Sequence, residues 1–357
     1  MTSLFIPAKT ITYNGKILLF SLEDFRERIV TGDCCFICGT PRSNKLFNDE
    51  HVIPDWILRK HKLHSKQIAL PNGTSYYYSQ YKVPCCVDCN RTLGEEYEKP
   101  IGKLLSSSYS DICASIVSDP TIVTLLFKWL NLIYFKVHLK SNSLIFSRDT
   151  RVNNGKIGDL FDWTEVHHIH CIARCHYTGA IIEPKVHGTI LILPALFEET
   201  WGGYDYADSI YGRGILLQLG DFAIIAILND ACACASIAAE FLEKINGPLT
   251  KFQLREILAH LNYINLNSAE RPVFFSEFSA PSTYRISVRT PEYCNLVPEN
   301  QRFGSVGEFL RYYVEDLIPK FDGRDQVLAE IEDGKRNYLF DEHGKFIDNS
   351  RYFRQDG

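Results

Sequence analysis

The stretch Val83–Asn90, VPCCVDCN, holds a C-x-x-C pair, Cys86 and Cys89, and Asp33–Gly39, DCCFICG, holds its counterpart, Cys35 and Cys38. A C-x-x-C turn points two sulfurs at one ion. Two such turns supply the four thiolates of a tetrahedral structural zinc, at about 2.3 Å each. Cys34 and Cys85 fall outside this spacing and read as core or neighbouring thiols. One C-x-x-C alone is equally a redox motif, whereas two pairs read as a metal staple. The 47 residues between the pairs exceed the span of a simple zinc ribbon, so the insert should have its own role.

Composition agrees with metal rather than disulfides as the reason for twelve cysteines. The start, MTSLFIPAKTITYNGKILLF, has no basic head followed by a long apolar stretch and a small-residue cleavage site, so the chain is expected in a reducing cytoplasm. The most apolar windows, 121–139 and 215–228, are broken by Lys128 and Lys136 and by Asp221, and no membrane partner is expected. A length of 357 residues suits about two domains, and 45% hydrophobic side chains exclude wholesale disorder. Net charge is −5 but uneven: residues 1–110 carry 14 basic against 11 acidic groups, the remainder 24 against 32. A polyanion is therefore better met at the front of the chain.

Inside the insert lies DEHVIP, Asp49–Pro54, with His51 between an acid and a short apolar run. Taken together, CCFICG, EHVIPDWILRK and VPCCVDCNRTLGEEYE resemble the HNH endonuclease family in its zinc-stapled ββα-metal form. The resemblance covers residues 33–105, under a third of the chain. It implies a nuclease that hydrolyses phosphodiester bonds, with His51 as the base that takes a proton from water. Glu50 and Asn90 stand where the family places its ligands for a catalytic divalent ion. Such an oxygen-rich set suits Mg²⁺ or Mn²⁺, while zinc on Cys35, Cys38, Cys86 and Cys89 holds the scaffold. Nucleic acid, DNA in the first instance, is the implied partner, and relatives of this layout occur in bacterial restriction and anti-phage systems.

The resemblance departs at one position. The family's middle Asn, about five residues before the third zinc cysteine, is Tyr81 here, with Gln80 beside it; Tyr81, Gln80 and Asn72 stay open as substitutes. This departure keeps a non-catalytic zinc module that binds nucleic acid or protein as the alternative. Glu98, eight residues after Asn90, falls near the same helical stripe, where relatives often carry a glutamate, but it reads first as a surface acid. The helix expected from WILRKHKL, capped by Asp55, offers Arg59, Lys60, Lys62 and Lys66 as phosphate contacts or as a solvated basic face.

The fold expected is α+β. Residues 1–32 form a hairpin at Asn14-Gly15 and a helix from Ser21; 33–105 form the nuclease-like module; 106–357 form a larger mixed region serving regulation, self-association or a protein partner. Asn72-Gly73 marks a second turn, and residues 121–139 a buried helix. Strands are expected across 164–228, including EVHHIHCIARC. Helices are expected near 236–245, 250–263, 305–318 and 324–333, with a Ser305/Glu308 capping box. As a strand, HHIHCIARCH places His168 and His170 on one face and Cys171 and Cys175 on the other, which disfavours a joint metal site. Cys232 and Cys234 in ACACA read as small buried side chains, and WGGYDYADSIYGRG as an ordinary loop.

Overall fold

The computed structural model describes residues 9–350 except 71, 148, 150, 152–154, 198–201 and 281–282. The chain is mixed α+β and divides into two compact units, so the expected region 106–357 is shared between them. One unit comprises residues up to Ser106, Asp119–Val186 and Val273–Arg289; the other comprises Ser107–Ser118, His187–Pro272 and from Thr290 onward.

The first unit opens with the expected hairpin, Ile11–Tyr13 against Lys16–Leu19. Asn14 and Gly15 take φ of 47° and 76°. Two left-handed residues give the twist that a two-residue hairpin needs, and Asn-Gly reaches it most cheaply. Ser21 then caps a helical turn, its Oγ accepting from Asp24 N at 3.1 Å. A second short hairpin, Gln67–Ala69 with Ser75–Tyr77, surrounds the Asn72-Gly73 turn. Between the hairpins Glu50–His51 pairs antiparallel with Lys82–Val83, Glu50 opposite Val83 and His51 opposite Lys82. The chain leaves this pair into the helices Val87–Leu93, Gly94–Glu98 and Lys99–Leu104, the middle one a π-helical turn.

Thr121–Ser141 is the unit's core helix. Trp129, Leu130, Ile133, Tyr134 and Phe135 are fully buried, and so is Lys136. Among the described residues it is the one helix long and apolar enough to cross a membrane, with 72% of its apolar window buried inside the protein.

One expectation is corrected here. EVHHIHCIARC is a helix, Trp163–Ala173, not a strand. Its apolar positions Val166, Ile169 and Ile172 recur every three residues, and Asp162 caps its start by accepting from Thr164 N at 3.0 Å. Residues four apart share a helix face, so His170 lies with Arg174, and His167 with Cys171.

In the second unit an antiparallel sheet runs in the order Thr189–Pro194, Phe222–Ile227, Gly214–Leu219, Tyr204–Ser209. Its two central strands are buried along their whole length. Leu216, Ile225 and Ile227 meet Leu254, Ile257, Leu258 and Leu261 of the helix Lys251–Leu266 in one core. Helices Val306–Val314 and Arg324–Glu332 complete the unit. The Ser305/Glu308 box forms as expected, Glu308 N donating to Ser305 Oγ at 3.1 Å and Ser305 N to Glu308 Oε2 at 2.9 Å. Cys234 is fully buried, while Cys232 is exposed at φ 64°, so only one of that pair is a core thiol. The loop expected at 201–214 carries the edge strand Tyr204–Ser209; Trp201 lies outside the described residues.

Candidate metal centre and adjoining cleft

The two cysteine turns converge. Cys35, Cys38, Cys86 and Cys89 are buried, and their sulfurs all lie within 4.8 Å of one another. Cys38 Sγ and Cys86 Sγ stand 3.9 Å apart. Tetrahedral zinc at about 2.3 Å per sulfur sets its ligands about 3.8 Å apart, so the cluster fits that ion. Charge points the same way. Hydrogen bonds from Cys38, Cys85 and Cys89 hold Cys35 far below the ordinary thiol range, while burial pushes Cys86 up to about 11. A bound cation supplies the attraction that four buried thiolates need. Among the described residues this is the one group of three or more His, Cys, Asp or Glu side chains gathered as a metal site, and HHIHCIARCH forms none.

The helix with the misread histidines braces the first turn. His170 Nε2 lies 2.6 Å from Phe36 O, and Arg174 Nε donates to Ile37 O at 2.5 Å. These are the two carbonyls between Cys35 and Cys38. Gly39 closes the turn at φ +71°, its N–H donating to Cys35 O at 2.8 Å.

The second turn delivers the chain to the histidine. Cys85 O accepts from Asn48 N at 3.2 Å and from Asp49 N at 3.3 Å, one residue before Glu50. Cys86 starts the helix on which Asn90 sits, and Asn90 Nδ2 donates to Asp49 O at 3.2 Å. The second cysteine turn thus anchors both the strand that carries Glu50 and His51 and the helix that carries Asn90.

These three side chains line one cleft of about 880 Å³. Asn90, Gly94, Glu98 and Gly102, each four apart on the helical run, form one wall; Trp56, Arg59, Lys60, Lys82, Lys99 and Lys103 also line it. Of the four basic residues expected to contact phosphate, Arg59 and Lys60 reach the cleft lining and Lys62 and Lys66 do not. Asp55 does not cap its helix, since Pro54 holds the cap position; its carboxylate takes His64 Nε2 at 2.9 Å and Arg59 at 3.1 Å.

His51 is half-buried, and among the described residues its ring nitrogens take no hydrogen bond. Burial, then the positive charge of Lys82, hold its pKa below the ordinary 6.5, against a weaker opposite pull from Asp55 and Glu50. The ring is therefore neutral at pH 7.

Glu98 is not a surface acid. Trp56 Nε1 donates to its Oε2 at 2.9 Å, and among the described residues its buried Oε1 takes no hydrogen bond. Burial pushes this carboxyl up to about 7; Lys136 pulls it down, Glu50 pushes it up, and the Trp56 and Trp129 indoles oppose the rise. The two indoles stack at 6.3 Å. Glu50 is buried as well, and Lys136 Nζ donates to its Oε1 at 2.9 Å and to His51 O at 2.8 Å. The sequence marked Lys136 only as an interruption of an apolar run.

The three substitutes for the middle Asn separate in space. Tyr81 is buried, with its carbonyl accepting from Val52 N at 2.9 Å. Gln80 is exposed. Asn72 is committed to its own hairpin and to Ile145 O, at 3.0 Å. Comparison with protein-family models, curated proteins and solved structures finds no match to this chain.

Proposed function

We propose that this protein is a metal-dependent endonuclease of the HNH type that hydrolyses phosphodiester bonds in nucleic acid, with DNA as the first substrate to test. One observation carries the reading: a half-buried His51 lies with Glu50, Asn90 and Glu98 in a cleft lined by five basic side chains, beside a four-cysteine cluster suited to zinc.

The chemistry follows from the side chains. Lys82, Arg59, Lys60, Lys99 and Lys103 draw in and orient the phosphate backbone. His51 takes a proton from water; the water oxygen bonds to phosphorus as the bond to the leaving oxygen breaks. Glu50 and Asn90 line the cleft with hard oxygen donors of the kind a Mg²⁺- or Mn²⁺-class ion takes, and they would hold it, with Glu98 beside them. Such an ion, when bound, neutralises charge developing on the scissile phosphate. The more acidic remainder of the chain is assigned to control through a partner or self-association.

Lys136 on Glu50 and the absence of the middle Asn favour the second reading, a zinc module that binds nucleic acid without cleaving it. Incubation of zinc-loaded protein with supercoiled plasmid, single-stranded DNA and RNA, with and without Mg²⁺ or Mn²⁺, separates the two. Divalent-dependent cleavage supports the nuclease; binding of all three with no cleavage supports the alternative.

A further inference from the structure

Lys136 has no evident reason to be where it is if its helix merely fills a core. It lies mid-helix among Trp129, Ile133, Phe135 and Leu139, and its side chain is 0% exposed. Burying an ammonium group is costly unless charge and hydrogen bonds compensate it. An apolar side chain there would avoid that cost. What Lys136 obtains instead is one carboxylate and one carbonyl, Glu50 Oε1 at 2.9 Å and His51 O at 2.8 Å. Both belong to the two-residue strand that presents the histidine.

That strand needs an external hold. Its ladder to Lys82–Val83 is two residues long, and Asp49 before it takes a left-handed φ of 50°. A pairing this short has little stability of its own. Bonds from Asn48 N and Asp49 N to Cys85 O and from Asn90 Nδ2 to Asp49 O hold the residues before it, Val52 N to Tyr81 O at 2.9 Å holds the residue after it, and Lys136 binds the strand itself.

We infer that Lys136 is the positioning residue for His51 and Glu50, holding from the core helix the carboxylate and the carbonyl of the strand that presents them. The inference rests on the nuclease reading for its catalytic consequence, but its structural half stands without it. Lys136 gripping the backbone of His51 leaves the ring free for water and phosphate.

The test uses the full chain with Lys136→Met, nearly isosteric but without charge or donors. Zinc content should match wild type. Hydrogen–deuterium exchange should quicken at 49–53 and 81–84 and leave the rest of the chain unchanged. Cleavage should lose about 10²-fold in kcat with KM within a few-fold, as expected when a catalytic group is displaced by about 1 Å. Unchanged exchange at 49–53, or a kcat equal to wild type, overturns the positioning role. Should Lys136→Met alone fail to fold, the Glu50→Gln/Lys136→Met pair, which leaves no unpaired charge, gives the same exchange readout. If wild type cleaves nothing, the nuclease reading fails, and the exchange result still decides whether Lys136 holds this strand.

Discussion

Gly39→Ala puts the metal turn under two separable loads. Gly39 sits at φ +71°, and a Cβ there would lie 2.6 Å from Phe20 Cζ and 3.0 Å from Phe20 Cε1. The left-handed backbone costs a non-glycine residue about 1–2 kcal/mol. The clash adds about 1–3 kcal/mol, because overpacked cores relax only in part. Phe20 has little room to yield: it is fully buried, with the Arg174 guanidinium 4.6 Å from its ring centre and that of Arg28 at 5.6 Å. The sum is about 2–5 kcal/mol. Since metal binding and folding of such a module are coupled, this should appear as a roughly 30- to 4,000-fold loss of apparent zinc affinity. Competition with a chromophoric chelator measures it. Gly73→Ala is the control, with φ +73° and nothing within 4 Å of the added Cβ. Its loss should be smaller by at least about fivefold, the equivalent of 1 kcal/mol. A Gly39→Ala protein within threefold of wild type, or no weaker than Gly73→Ala, would refute the argument.

Other outcomes follow from the same geometry. Cys86→Ser should lower zinc content below one per chain and loosen residues 33–105, whereas Cys85→Ser should keep full zinc; elemental analysis reads both. The acid limb of the pH–rate profile should fall below pH 6.5, because burial and Lys82 depress His51 and protonation removes the base; a limb above 6.5 contradicts this. In the second unit, burial pushes Glu256 up to about 7, against hydrogen bonds from Tyr338 N and Leu339 N. The unfolded chain releases this proton near pH 4.5, so the contribution is full below that value and is lost as pH rises to about 7. Denaturation midpoints of wild type relative to Glu256→Gln should therefore decline across that window; a rising difference would show the sign to be wrong.

Local chemistry was legible in the chain and tertiary placement was not. The four cysteines announce themselves because ligand spacing within a turn is a short-range property, as are the Asn14-Gly15 hairpin and the Ser305/Glu308 box. Glu50, His51 and Asn90 were grouped by the resemblance to the HNH family, and the structure gathers the three in one cleft. Glu98 was read as a surface acid because its burial depends on Trp56, 42 positions away, and on the π-helical turn ending at Glu98. Trp163–Ala173 was misread because its β-branched Val166, Ile169 and Ile172 favour a strand by residue type, while their three-residue spacing is helical and decides the outcome. Lys136 left the faintest trace, a single charge inside an apolar helix, with its partners 85 and 86 residues distant.

The central claim is that His51 activates water in this cleft, and plasmid cleavage by His51→Ala measures it most directly. Wild type and variant, equal in zinc and in thermal unfolding, are incubated with supercoiled DNA and Mg²⁺ after EDTA has removed loosely held metal. The account predicts nicking by wild type that depends on the added ion and falls by at least about 10²-fold in the variant. Equal cleavage by both proteins, or none by wild type with any divalent ion, would contradict it.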